Sequence, residues 1–280
     1  MDLLEAVILG IIQGITEFLP ISSTGHLTVA GRIMGLISTE NPEHWTAFIA
    51  VIQLGTLVSI LIYFWKDIWN ILNDFSKDNI TSRVKYSAQS TNSKLGWMII
   101  IGTIPVVVIG LSFKHVIEGE FTKNLYVIAY SLVLLAVILA IAEKKAKFKK
   151  EMKDITMKDA IIIGFSQSLA LIPGSSRSGT TITGGLFMGL TRETAARFSF
   201  LLSIPALFAS GMLELVQALK YIQGDMITNL VISTIVSGIS GYVAIDFLLK
   251  YLKKNSTFLF IYYRIAAGVF ILILLLTNII

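Results

Sequence analysis

Six stretches of this chain run for about twenty residues almost without charge, and this constrains the fold more than any other feature. Residues 47–65, 95–113, 124–142 and 226–245 contain no Asp, Glu, Lys, Arg or His; residues 198–219 carry only Glu214 and residues 258–280 only Arg264. A helix that crosses a bilayer needs about 20 mostly apolar residues, so the pattern predicts an all-α polytopic membrane protein with about six full spans. The average agrees. A chain of 280 residues that is 54% hydrophobic and 15% charged, with a mean hydropathy of +0.75, is too apolar for an ordinary soluble domain. There is no cysteine, which excludes disulfides and Cys-based metal sites.

Two further apolar segments, residues 6–19 and 160–172, are shorter, and each breaks at a proline followed by Ser, Thr and Gly. Broken backbone at membrane depth is tolerated only where it is buried in protein or lines a wet cavity. Both segments are therefore expected to be re-entrant helical hairpins. Lys and Arg set the orientation: residues 66–94 hold five, 143–159 hold seven lysines and 250–254 hold three, whereas 114–123 and 220–225 are poorer in bases. With spans alternating, the three basic loops share one face, which is then cytoplasmic, and both termini fall outside. Orientation also accounts for the net charge of +5, and no nucleic-acid partner is expected. The opening residues MDLLEA carry two acids and no base, unlike the n-region of a cleaved signal peptide, so the N-terminus is expected to be retained.

The second half repeats the first. Gly10 and Gln13 match Gly164 and Gln167 at an offset of 154 residues; Pro20, Ser22 and Ser23 match Pro173, Ser175 and Ser176 after a one-residue slip; Gly25, Gly31, Met34, Gly35 and Leu36 match Gly179, Gly185, Met188, Gly189 and Leu190 at 154 again. Three full spans separate the copies, so the second enters the membrane from the opposite face. The expected architecture is an inverted-topology repeat, with the Pro/Ser/Gly tips of the two hairpins meeting near the midplane. It divides a single membrane domain, 1–280, into repeat 1 (about 1–142), a basic cytoplasmic linker (143–157) and repeat 2 (about 158–280).

The tips carry the chemistry. An arginine inside a bilayer is expensive, so Arg177 in PGSSRSGTT is a functional candidate by default. Its planar fork suits phosphate oxygens, and the glycines around it let backbone N–H groups approach an anion. Gly174, Ser175, Ser176, Ser178 and Gly179 are expected to form this cradle, with Gln13, Ser22 and Thr24 facing it from the first tip. The bland alternative is an Arg177 that snorkels or simply pairs with Glu17. Ser23 and His26 lie three apart, a spacing at which histidine can take a proton from serine or give one to a leaving group; Glu17 can orient the imidazole or act as a second acid/base. Helix capping by Ser22 or Thr24 is the alternative there. His44 and His115 are expected in solvated loops, Glu214 and Asp246 at span ends facing water, and Arg264 snorkelling toward a terminus.

QGITEFLPISSTGHL together with PGSSRSGTT strongly resembles the undecaprenyl-pyrophosphate phosphatase family, also known for bacitracin resistance, and the resemblance covers the whole chain. It implies hydrolysis of undecaprenyl pyrophosphate to undecaprenyl phosphate and inorganic phosphate, regenerating a lipid carrier of cell-wall synthesis in the bacterial plasma membrane. The family's acidic motif, (Glu or Gln)-x-x-x-Glu, falls on Gln13 and Glu17, so one carboxylate stands here rather than two. By the same matching Ser23 resembles the proposed nucleophile, His26 the acid/base and Arg177 the phosphate-binding arginine, with attack by serine, histidine or water left open. A divalent cation, Mg²⁺ or Ca²⁺, is an expected cofactor with Glu17 as its candidate ligand, and no organic cofactor is expected. The lipid substrate and the bilayer are the expected partners, with a homo-oligomer among the assemblies allowed. Catalysis is expected on the extracytoplasmic side. The rival class is a polyprenyl-phosphate flippase or secondary transporter, since broken helices in inverted repeats are a transporter design.

Overall fold

The computed structural model describes residues 1–37, 42–113, 124–218 and 226–277. Among them the helices are α1 (Leu3–Phe18), α2 (Ser23–Ile33), α3 (Pro42–Tyr63), α4 (Trp65–Ser76), α5 (Thr91–Ser112), α6 (Leu125–Lys145), α7 (Met157–Ser168), α8 (Arg177–Phe187), α9 (Arg192–Ala218), α10 (Met226–Leu252) and α11 (Phe258–Leu276). The only β pairing among the described residues is an isolated bridge between Lys150 and Leu190. Six helices are long and apolar enough to cross a membrane, α3, α5, α6, α9, α10 and α11, and they coincide with the six uncharged runs. The chain is a multi-pass membrane protein. The connections 114–123, with His115, and 220–225 lie outside the described residues. His44, expected in a loop, lies in the first turn of α3.

Residues 66–94, expected as a plain loop, are largely structured from α4 onward. Ile68, Ile71, Leu72 and Phe75 recur at helical spacing; Ile71 is buried, while Trp65, Trp69 and Leu72 stay exposed. The two indoles stack with centroids 6.0 Å apart, and Arg197 of α9 holds the first turn through both oxygens of Asp67 at 3.1 Å. A search for uncharged runs of span length passes over a helix of 12 residues like this one.

Helices α1 and α2, and again α7 and α8, form two helix–turn–helix units with matching turns. α1 opens on a capping box of Asp2 and Glu5, α7 on one of Thr156 and Asp159. After the breaks, Ser22 and Ser176 both take positive φ, 78° and 66°, and their hydroxyls accept the amides of Gly25 and Gly179 at 3.3 and 3.2 Å. Positive φ is costly for a residue with a Cβ, and the cap bonds offset part of that cost. α2 and α8, 11 residues each, both end on a glycine of positive φ, Gly35 at 67° and Gly189 at 85°, where the missing Cβ removes the penalty. The serine caps pair at an offset of 154, Ser22 with Ser176 and Ser23 with Arg177, which moves the serine matches of the aligned sequences by one residue. The slip stays at the break, where Leu19 and Ile172 are the extended residues that end the helical segments and Gly174, with φ 84°, has no positive-φ counterpart in the first unit.

Small residues bring the short helices against the spans. α1 packs on α10 and α7 on α5. A Cβ on Gly10 would lie 2.6 Å from the Ser233 carbonyl oxygen, and one on Gly164 would strike the Gly102 carbonyl. α3 packs on α9 and α10, α9 on α5 and α8, and α6 on α8 and α11. Phe18, Phe64, Phe198 and Phe200 belong to the main core, with Phe18 edge-on to Phe200 at 5.4 Å. At the end of α6, buried Glu143 accepts Arg192 Nε at 2.7 Å and Thr257 Oγ1 at 2.9 Å, tying the basic segment to the starts of α9 and α11.

Candidate active site

The breaks of the two units touch each other. Gln13 and Glu17 lie one turn apart on α1 and share a face; they are 1% and 7% exposed. Gln13 Nε2 donates to Glu17 Oε2 at 3.2 Å, and Ser23 Oγ, from the first turn of α2, donates to the same oxygen at 2.8 Å. The other oxygen, Oε1, receives Arg177 Nη2 at 2.7 Å from the start of α8. A second bond crosses between the units where Ser178 Oγ donates to the Leu19 carbonyl at 3.1 Å. A carboxylate this deeply buried is tolerable because its charge is paired and its lone pairs are filled. Arg177 Nη1 is buried with no partner among the described residues. That half of the fork has no acceptor among the described residues, and a guanidinium N–H is a donor suited to an anion.

The rest of the predicted cradle surrounds this centre. Gly174 has φ 84°, and a Cβ on it would run into Ser131 Oγ and, at 2.5 Å, the Ile128 carbonyl oxygen; Ser131 Oγ in turn donates to the Pro173 carbonyl. Ser175 is fully buried and its hydroxyl has no partner among the described residues. Ser176 Oγ and Ser178 Oγ lie 3.2 Å apart. Ser22 is buried, whereas Thr24 is exposed.

Two of the expectations need correction. His26 does not bond Ser23. Its Nδ1 is 2.7 Å from the Ser22 carbonyl oxygen and its Nε2 is 2.6 Å from the hydroxyl of Tyr263 on α11, so the Ser23 proton faces Glu17 instead. Arg264 does not snorkel. It is 0% exposed, with Nη2 donating to the Ser175 carbonyl at 2.9 Å and Nε to the Leu132 carbonyl at 3.3 Å. Its Nη1 fills the space where a Cβ on Gly179 would sit, 2.5 Å away. As the lone charge of its apolar run, it met the rarity criterion that singled out Arg177. Tyr263 carries no such signal, because a tyrosine in a span is ordinary.

The two units differ where their chemistry does. The position matching Glu17 is Leu171, so Gln167, the counterpart of Gln13, finds no carboxylate one turn on. Both its amide atoms are buried without a partner among the described residues. Glu17 has its two oxygens already carrying three donors, and no group of three or more His, Asp or Glu able to hold a metal occurs among the described residues. These residues form no all-protein cage; a divalent cation here would be held by Glu17 together with water and substrate phosphate oxygens, and no step is assigned through it.

Fold and site together define a multi-pass helical membrane protein with a buried Glu17–Arg177 ion pair shared by two helix–turn–helix units. A family model described as bacitracin resistance protein BacA matches residues 6–270, and the chain belongs to this bacterial membrane family. It is 53% identical over 268 residues to an undecaprenyl-diphosphatase of Syntrophobacter fumaroxidans, covering 96% of this chain and 95% of that protein. It is also 52% identical to an undecaprenyl-diphosphatase of Chloroherpeton thalassium, covering 98% and 97%, and 49% identical to one of Pelodictyon phaeoclathratiforme, covering 100% and 99%.

Proposed function

We propose that this chain hydrolyses undecaprenyl pyrophosphate to undecaprenyl phosphate and inorganic phosphate. The observation that carries the proposal is one carboxylate, Glu17, held between the Ser23 hydroxyl and the Arg177 guanidinium, beside an Arg177 Nη1 that no described residue takes. In this reading Arg177 Nη1 and the Ser176 and Ser178 hydroxyls hold the terminal phosphoryl group, while Gly174 and Gly179 let the loop pack closely on Ser131 and Arg264; positioning and charge stabilisation carry most of the catalysis. Ser23 Oγ attacks the terminal phosphorus while its proton passes to Glu17. The bond from that phosphorus to the bridging oxygen breaks, and its electrons leave with the lipid phosphate. Water then attacks the phosphoserine and gives its proton to His26 Nε2; the P–Oγ bond breaks, Ser23 recovers a proton from Glu17, and inorganic phosphate departs.

The same proposal takes the two units as re-entrant hairpins of an inverted repeat within one membrane domain. Its supports are the matched serine caps, the three spans between the units, and a packing pattern that survives exchange of the halves: α1 on α10 answers α7 on α5, and α3 on α10 answers α9 on α5. With 16 residues, α1 extends about 24 Å, short of the roughly 30 Å hydrocarbon core. A site at mid-depth leaves the polyprenyl tail among acyl chains, and the basic segments support an extracytoplasmic opening for the first unit.

The test is phosphate release from undecaprenyl pyrophosphate by the detergent-purified protein, beside Ser23→Ala, His26→Ala and Arg177→Ala. Release by the wild type, with loss in all three variants, is expected. Full activity in Ser23→Ala would move the nucleophile to water or histidine. The exchangeable packing equally suits a carrier; no release by any form, with flux of the lipid phosphate across vesicles, would establish that reading instead.

A further inference from the structure

The hydroxyl of Tyr263 sits 2.6 Å from His26 Nε2, and the two rings stack nearly parallel, 12° apart with centroids at 5.5 Å. At the other nitrogen, Nδ1 lies 2.7 Å from the Ser22 carbonyl oxygen. A carbonyl only accepts, so in the neutral ring the hydrogen is on Nδ1 and Nε2 presents a lone pair. The Tyr263 hydroxyl then donates to it. One bond on each nitrogen, with the tyrosine ring against the imidazole face, sets both the tautomer and the rotation of the ring.

Each of the two anchors is itself held. Ser22 is the residue whose φ of 78° starts α2, so the carbonyl that fixes Nδ1 belongs to the turn that also delivers Ser23. Tyr263 is followed by the buried Arg264, whose bonds to the Ser175 and Leu132 carbonyls set the rotation of α11 about its axis. Tyr263 itself is 45% exposed, so the hydroxyl that holds Nε2 lies at the edge of the packed site and not inside its core.

We propose that Tyr263 is a positioning residue: in the resting site its hydroxyl holds His26 as the Nδ1–H tautomer by donating to the Nε2 lone pair, and it yields that lone pair to the attacking water, whose proton Nε2 takes during turnover. This rests on the phosphatase reading for its kinetic consequence but not for its geometry. Without the hydroxyl, the imidazole keeps only the Ser22 bond and its Nε2 is free to turn away. Misplacement of a reacting group by about 1 Å can cost 10²-fold in rate.

The experiment uses Tyr263→Phe, which keeps the ring and its stacking, in the full-length protein in detergent. Phosphate release from undecaprenyl pyrophosphate should show kcat lowered about 10- to 100-fold and KM changed less than about 2-fold. The chain contains three histidines, so ¹⁵N-imidazole labelling gives a countable spectrum in which His26→Gln assigns the His26 signals. Wild type should show His26 with a protonless, hydrogen-bonded Nε2, and Tyr263→Phe should move that resonance while the others stay. A wild-type His26 carrying its hydrogen on Nε2, or an Nε2 resonance and a kcat both unmoved by Tyr263→Phe, would overturn the proposal. The spectrum reads His26 whether or not the protein turns over. Absence of phosphate release thus strikes the phosphatase reading, and an unmoved Nε2 strikes this one.

Discussion

If Glu17 serves the reaction by receiving the Ser23 proton, then Glu17→Gln and Ser23→Ala remove the same event, and a double-mutant cycle will say so. Glu17 has two oxygens with separate duties: Oε2 accepts Ser23 Oγ at 2.8 Å and Oε1 accepts Arg177 Nη2 at 2.7 Å. Loss of a positioned base costs roughly 10²–10⁴-fold, or about 3–5 kcal/mol at 1.36 kcal/mol per decade. In Glu17→Gln the amide oxygen can still accept Arg177 Nη2, so only the charge-assisted surplus of that bond is lost, on the order of 1.5 kcal/mol or tenfold. With Ser23 already replaced by Ala, Glu17→Gln should therefore cost no more than about tenfold further. The coupling energy should approach the smaller of the two single effects. The assay is phosphate release under kcat/KM conditions for wild type, both single variants and the double variant, with the thermal midpoint of each measured alongside. A double variant whose loss equals the product of the single losses would refute the proton transfer and leave Glu17 as a counter-ion for Arg177.

Gln167→Leu removes a buried amide with no partner among the described residues, and should stabilise the protein by about 1–3 kcal/mol with activity unchanged; a lower thermal midpoint would count against the unpaired amide. Leu19→Cys combined with Ser178→Cys, in a chain that has no cysteine of its own, should be bridged by a short bifunctional maleimide, because Ser178 Oγ is 3.1 Å from the Leu19 carbonyl and the two residues are neighbours. Mass spectrometry of the linked peptides reads it, and two singly modified thiols would argue against contact between the units. Gly179→Ala places a methyl 2.5 Å from Arg264 Nη1; the overpacking, about 1–3 kcal/mol, outweighs the roughly 1 kcal/mol gain in helix propensity. Both the thermal midpoint and phosphate release should fall, and a more stable, fully active Gly179→Ala would show that Arg264 does not press on the turn.

Much of this was legible in the residues. The six spans stand out because a bilayer demands long uncharged runs, and the two tips because Pro, Ser and Gly punctuate apolar sequence beside Glu17 and Arg177. What escaped was decided by rotation and register. Whether Arg264 reaches a headgroup or the Ser175 carbonyl depends on which face α11 turns to its neighbours, and composition does not record that. The Ser23–His26 spacing suggested a proton-transfer pair; the imidazole instead uses the Ser22 carbonyl of its own first turn and a tyrosine 237 residues away. Helix α4 escaped because an amphipathic helix of 12 residues carries its signal in periodicity, not in mean hydropathy.

The ion pair at the centre has a consequence for how the chain is made. Glu17 and Arg177 are 160 residues apart, and at roughly 5–20 residues per second a ribosome needs about 8–30 s to get from one to the other. For that interval the first unit carries a carboxylate whose guanidinium partner has not been synthesised, on an apolar helix of 16 residues. Stable insertion of Glu17 must therefore wait for the second half. Truncation anywhere before Arg177 should leave the first unit accessible to water and to quality-control proteases, and the enzyme becomes competent only when its last third has been threaded into the membrane.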